Sequence, residues 1–317
     1  MNLFRTSENH YNLQHSFYSN GKLLLSGEYL VLNGASAIAL PLKLGQDLQI
    51  TSSHTELKPS IHWKSFENTM LWFEMRASLD DFSVIESSNE EIAEQLKNIL
   101  VEARKLNEDF LTDQKSYEVK TQLNFDRNFG FGTSSTLIAN IAEWAQVGPY
   151  SLLEKTFGGS GYDIACAKSN GPILFKLQDS NPIVKPVSFD PAFKDHLYFI
   201  YLGKKQNSAK AVQDFKKLEQ NTLEIMAISE LSKAILEATS LSEFQTFLLE
   251  HEFIISKVLG RDIVKEQFPG YEGVLKSLGA WGGDFILAAT HWDEKKLHDY
   301  FQKQGLSVIF KYQDLVK

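Results

Sequence analysis

Residues 117–125 read as a strand, residues 128–133 as a glycine-rich turn, and residues 134–146 as a helix with Leu137, Ile138, Ile141 and Ala145 on one face. No other feature narrows the possible folds as much, because the chain must leave a sheet, turn tightly on glycine and bury one side of a helix within thirty residues. The turn itself reads Gly130-Phe131-Gly132-Thr133-Ser134-Ser135. Two glycines let the backbone approach an anion, three hydroxyls offer donors or metal ligands, and the helix start adds free amides and a positive dipole end. That makes a candidate triphosphate cradle. It is not a Walker A loop, since no Gly-Lys-Ser/Thr closes it, and it lacks the third glycine of a dinucleotide fingerprint. A Ser/Thr-capped helix after a glycine turn would give the same letters, so the rest of the chain has to decide.

Around this unit the sequence predicts short strands at residues 16–19, 22–25, 29–32 and 47–51, a hairpin of 61–66 with 70–75, and an Asn-capped amphipathic helix over 89–106. A short helix is expected over 162–168, then strands at 173–177 and 183–187. The second half differs: a strand at 197–202, helices over 208–239 and 242–259, an apolar strand at 283–289, and a final helix at 293–304 before 306–310. Short helices with mostly antiparallel strands, and no regular βαβ alternation, predict an α+β fold. The change of character near residue 190 is the expected domain boundary, giving 1–190 and 191–317.

Composition removes several alternatives. The 317 residues suffice for two cores without a disulfide or metal staple, and 43% hydrophobic with 23% charged residues is ordinary for a globular chain. A net charge of −8 with no dense Lys/Arg stripe argues against nucleic acid as a partner. The single Cys166 has no partner for a disulfide, the first sixteen residues are polar, and no run approaches a membrane helix. A cytoplasmic protein without membrane contact is therefore expected.

Three further stretches carry chemistry. In residues 158–165, Asp163 follows a glycine-rich turn, where it could accept a hydroxyl proton; an isolated Asp there could equally cap a helix. In residues 20–34, Lys22 opens an apolar strand, a costly place for an ammonium unless it meets an anion or snorkels to water. Residues 279–285, Gly-Ala-Trp-Gly-Gly-Asp-Phe, form a second glycine-rich loop leading into an apolar strand.

Taken in this order and spacing, the four stretches closely resemble the three signature motifs and the catalytic-Asp segment of the GHMP kinase superfamily, which includes galactokinases and homoserine, mevalonate and phosphomevalonate kinases. Residues 22–34 are similar to the N-terminal motif, residues 130–135 to the phosphate loop, and residues 279–285 to the third motif. Gly161-Tyr162-Asp163-Ile164-Ala165 reads as the run that names the GYDIA group of these kinases, and the turn at residues 203–208 resembles the substrate-side turn. The resemblance covers residues 17–290. It implies a ribosomal-S5-like N-terminal domain, a ferredoxin-like C-terminal domain, ATP and Mg²⁺ as cofactors, and a monomer or homodimer acting on a small molecule.

By the same resemblance, Asp163 is the catalytic base and Lys22 keeps it ionised. Gly130, Gly132, Thr133, Ser134 and Ser135 would hold the nucleotide, Ser134 also Mg²⁺, while Lys205, Ser208, Gly282 and Gly283 would line the acceptor. Lys204, Lys205 and Lys210 could supply cations for an anionic acceptor such as mevalonate or its 5-phosphate. Asp126 stands where the second motif usually has Pro, and Trp281 and Phe285 replace small residues in the third. Leu152 lies near the spacing of a second Mg²⁺-ligating Glu, with Glu154 displaced from it.

Overall fold

The computed structural model describes residues 12–55, 58–204, 208–218 and 221–317. In chain order the strands and helices are β1 (Asn12–Leu24), β2 (Ala37–His54), β3 (Ser60–Glu67), β4 (Met70–Ser78), β5 (Val84–Ser87), α1 (Glu90–Leu106), β6 (Lys115–Leu123), α2 (Thr133–Ala145), α3 (Pro149–Thr156) and α4 (Tyr162–Ala167). There follow β7 (Ile173–Gln178), β8 (Asn181–Pro186), β9 (Leu197–Tyr201), α5 (Ser208–Phe215), α6 (Thr222–Glu237), α7 (Leu241–Leu259), β10 (Val274–Ser277), β11 (Phe285–Ala289), α8 (Glu294–Lys303), β12 (Ile309–Lys311) and α9 (Tyr312–Leu315). The expected α+β class is observed, with two sheets. No helix among the described residues is long and apolar enough to cross a membrane.

The chain divides into two compact units, each assembled from separate segments. The first contains Gly45–Phe125 and Ser134–Gly158 together with the N-terminal segment up to Ser19. Here β3 runs antiparallel to β4 and parallel to β6, and β6 pairs antiparallel with the later part of β2, Gln46 facing Leu123. Strand β6 alternates as a half-buried strand must: Tyr117, Val119, Thr121 and Leu123 point inward. Helix α1 forms because Asn89 accepts the Ile92 N–H at 3.1 Å, Glu90 and Glu91 sit at its positive end, and Ala93, Leu96, Ile99, Leu100 and Ala103 make one buried stripe. Helix α2 carries a polar residue into the interior. Asn140 is fully buried, accepts from Ser19 Oγ at 2.7 Å and donates to the Gln46 carbonyl at 3.0 Å, so its amide is satisfied.

The second unit comprises Asn20–Leu44, Asp126–Thr133 and Gly159–Lys317. The first residues of β2 pair antiparallel with β7, Ala37 facing Phe175, and β7 pairs with β8. A separate antiparallel sheet runs in the order β10-β11-β9-β12. All five residues of β11 are buried, and Tyr198, Ile200, Leu275, Ile286, Leu297 and Phe301 belong to one core.

Two expectations are corrected. Residues 29–32 are not a strand: Gly27 and Tyr29 adopt φ +84° and +62°, which turns the chain into a single helical turn, Leu30–Asn33. Residues 208–239 are not one helix either, because Asn221 caps a new one by accepting the Leu223 N–H at 3.0 Å.

Candidate active site

Lys22 lies on β1 and meets the glycine loop twice. Its backbone N–H donates to the Phe131 carbonyl at 2.9 Å, and its ammonium donates to the Gly130 carbonyl at 3.0 Å. The same ammonium sits over the Tyr162 ring, 5.5 Å from the ring centre. Tyr162 and Asp163 open α4 after Gly161, which takes φ +84°. Burial alone would push Lys22 toward its neutral form. Tyr162, Asp163 and Asp284 more than offset that, and its pKa lies above the ordinary lysine value. The ammonium is therefore held cationic beside Asp163 and Asp284. Burial raises the Tyr162 phenol as well, with Lys22 opposing.

The loop needs its glycines. Gly130 and Gly132 take φ +69° and +92°, in the left-handed region that side chains avoid. A Cβ on Gly130 would also lie 2.6 Å from the Asp284 carboxyl carbon. Between the glycines, Phe131 is fully buried and stacks on Phe285 at 4.8 Å with planes 19° apart. Phe129 and Phe310 add edge and tilted contacts to Phe285, and Tyr201 packs on Phe129. Aromatic packing thus anchors a loop whose backbone glycine shapes. Thr133 opens α2; Ser134 in its first turn is exposed and Ser135 is buried. A helix start with an exposed hydroxyl is a donor set suited to phosphate oxygens.

In the loop over residues 279–284, Gly282 takes φ +86° and is exposed, while Gly283 is buried. Asp284 holds φ +50° without being glycine. Its N–H donates to the Lys204 carbonyl at 2.6 Å and its carbonyl accepts from the Leu202 N–H at 2.8 Å, so two main-chain bonds maintain the strained residue.

At the level of sequence, no family model and no curated protein matches the chain. Solved structures do match. L. major mevalonate kinase in complex with R-mevalonate is similar over 98% of both chains, with TM-score 0.65 at 16% identity. Streptococcus pneumoniae phosphomevalonate kinase in complex with phosphomevalonate and AMPPNP covers 94% of this chain and 100% of its own, with TM-score 0.68 at 15% identity. Lactococcus lactis galactokinase complexed with galactose covers 93% and 92%, with TM-score 0.61 at 13% identity. The chain has the GHMP kinase fold.

Within that GHMP kinase fold, the expected site residues distribute as follows. Lys22, Gly130 and Asp163 come together, with Tyr162 between Lys22 and Asp163 in the sense that its ring meets the ammonium and its backbone carries the acid. Gly282 and Gly283 belong to the loop whose Asp284 abuts Gly130. Lys205 lies outside the described residues, and Ser208 opens α5 with its side chain likewise outside them. Lys204 and Lys210 are exposed, as is Glu154 on α3. No group of three or more His, Cys, Asp or Glu side chains able to hold a metal ion assembles among the described residues.

Sequence reasoning missed Tyr162 as a contact of Lys22 and missed the aromatic cluster under the loop. The alternation Phe129-Gly130-Phe131 and the Phe285 directly after Asp284 were the available signals. A cavity of about 550 Å³ beside Trp292 and Tyr300 holds several charges, but Lys296 pairs with Glu272 at 3.2 Å and Lys295 with Asp299 at 2.6 Å. These are mutually neutralised surface groups.

Proposed function

We propose that the chain is a Mg·ATP-dependent small-molecule kinase that transfers the γ-phosphoryl group to a hydroxyl or phosphate of an isoprenoid precursor, mevalonate or phosphomevalonate. One observation carries the reading: the Lys22 ammonium bonds to the Gly130 carbonyl of the glycine loop while remaining cationic in the field of Asp163. The likeness in fold to kinases of mevalonate, phosphomevalonate and galactose supports the reaction class.

In the proposed mechanism, Asp163 accepts or orients the acceptor hydroxyl proton, and Lys22 keeps its carboxylate ionised. The amides that open α2, with Gly130, Gly132, Thr133 and Ser135, hold phosphate oxygens. Ser134 is the proposed protein ligand for Mg²⁺, which when bound neutralises phosphate charge. Gly282, Gly283, Lys205 and Ser208 are assigned to the acceptor. The proposal includes a functional division at residue 190, between β8 and β9, and a monomer or homodimer in the cytoplasm.

The experiment is transfer of labelled γ-phosphate from ATP to a panel of mevalonate, phosphomevalonate, homoserine and galactose. Labelled product with either mevalonate form supports the full reading. Product only with galactose overturns the acceptor and keeps the kinase, and no product with any acceptor overturns the kinase.

A further inference from the structure

Four ionisable side chains meet inside the second unit away from solvent: Glu28, His251, Glu252 and Lys276 are each 0% exposed. Lys276 on β10 donates to Glu28 Oε1 and, at 2.8 Å, to the Ser277 carbonyl. His251 on α7 accepts the Gly27 N–H through Nε2 at 2.9 Å, and that nitrogen is 3.4 Å from Glu28 Oε2. Glu252 accepts from the Ser277 N–H at 3.0 Å, from Ser277 Oγ at 2.8 Å and from the Val264 N–H at 3.3 Å. Glu28 Oε2 and His251 Nδ1 have no hydrogen-bond partner among the described residues. Since Nε2 is an acceptor, the imidazole proton sits on Nδ1.

Stability alone gives little reason to bury such a set, because apolar residues of the same shape often serve as well. Its placement gives a better one. Glu28 belongs to the turn that follows the strand carrying Lys22, and Lys276 lies on the strand that leads into the loop over residues 279–284. Both segments are strained, at Tyr29 (φ +62°), Trp281 (+44°) and Asp284 (+50°), and Tyr29 and Trp281 share one buried cluster.

We infer that Lys276 and His251 are positioning residues: acting through Glu28 and Gly27, they hold the turn at residues 27–29 against the loop at 279–284, and the ionised Glu28–Lys276 pair is the arrangement that supports turnover. The inference rests on the kinase reading for its activity readout. Burial pushes the Glu28 carboxyl up to about 7, against the pull of Lys276 and with Glu252 adding to the rise. The charged or titratable groups around it are Lys276 from β10, His251 and Glu252 from α7, and Tyr29 beside it in the turn. His251 is kept neutral, its pKa lowered by burial and by Lys276. Acidification through neutrality therefore protonates Glu28 and dissolves the pair.

The test compares the full-length chain with E28Q, K276M and the double variant E28Q/K276M, which removes both charges and keeps the test open if K276M alone does not fold. Two readouts are taken from about pH 5.5 to about pH 9: kcat with KM for each substrate, and the ¹⁹F resonance of 5-fluorotryptophan at position 281, assigned with W281F. In the wild type, kcat should rise through a limb near neutrality and the Trp281 resonance should shift over the same range. In the folded double variant the limb should vanish and kcat should fall by roughly 10-fold, with nucleotide affinity within about two-fold of wild type. Wild-type kcat with an unchanged limb in the double variant overturns the inference, as does a wild-type Trp281 resonance that ignores pH. If the wild type transfers no phosphoryl group, the kinase reading fails, and the Trp281 resonance alone decides the positioning role by the same criterion.

Discussion

Lys22 and Lys276 are two lysines in the same unit with opposite surroundings. Lys22 is half-buried, faces a glycine loop and lies in the field of two carboxylates, and its bonded partners are the Gly130 carbonyl and the Tyr162 side chain. Lys276 is wholly enclosed and bonded to Glu28 and to its neighbour's carbonyl. The first arrangement leaves an ammonium that is not wholly enclosed, so an incoming anion can approach it. The second uses a charge as an internal tie. Polar residues at a site and polar residues that brace it thus differ in what remains available to a ligand, not in charge.

Substitutions at the Lys22 end should break this contrast most sharply. The largest effect is expected for Asp163→Asn, which should lower kcat by roughly 10²- to 10⁴-fold while sparing ATP binding. Asn keeps an oxygen able to accept the Ile164 N–H, now bonded at 3.1 Å, so the melting temperature should hardly move. Near wild-type turnover would remove Asp163 from the mechanism. Lys22→Met comes next, with kcat lower by about 10²-fold. The backbone bond from residue 22 to Phe131 survives this change, so the loop should stay folded; an unchanged kcat in the folded variant would reduce Lys22 to a loop tether.

The Lys22 end was legible because glycine and chemistry occur there in local runs. Gly161-Tyr162-Asp163 and Gly130 through Ser135 each fit within six residues, and tight turns with positive φ leave a compositional trace. The Lys276 end was not legible. Glu28 lies more than two hundred residues of chain from both His251 and Lys276, and each sits in a stretch whose pattern gives no sign of a buried charge. The strand expected at residues 29–32 failed for a related reason, since the apolar run Tyr29 to Leu32 has β character that the positive φ of Gly27 and Tyr29 overrides. Tertiary pairing decided both cases.

A smaller effect is expected in the glycine loop. Gly132→Val places a β-branched residue at φ +92°, a conformation costing at least about 1–2 kcal/mol for a residue with a Cβ. Mg·ATP affinity should fall by roughly ten-fold or more while the circular dichroism spectrum is retained. Titration calorimetry checks it, and unchanged affinity would mean that the phosphates bind elsewhere.

The smallest effect, and the one that sharpens the comparison of the two lysines, concerns stability and pH at the buried end. Glu28 titrates at about 7 in the folded chain against an ordinary 4.5, chiefly because burial disfavours its carboxylate. Between those values the folded chain binds more protons than the unfolded one, so this group's contribution is present below the ordinary value and is lost as pH rises through about 7. The loss is on the order of 3 kcal/mol at most. Glu28→Gln removes the titration, and its melting temperature should vary less between about pH 5 and about pH 8 than that of the wild type, by a few degrees. The stable form of the wild type is thus the protonated one, whereas the form inferred to support turnover is the ion pair. A variant whose melting temperature follows pH as the wild type's does would assign the neutral-range dependence to another group, with buried Glu252, itself raised by burial, as the next residue to substitute.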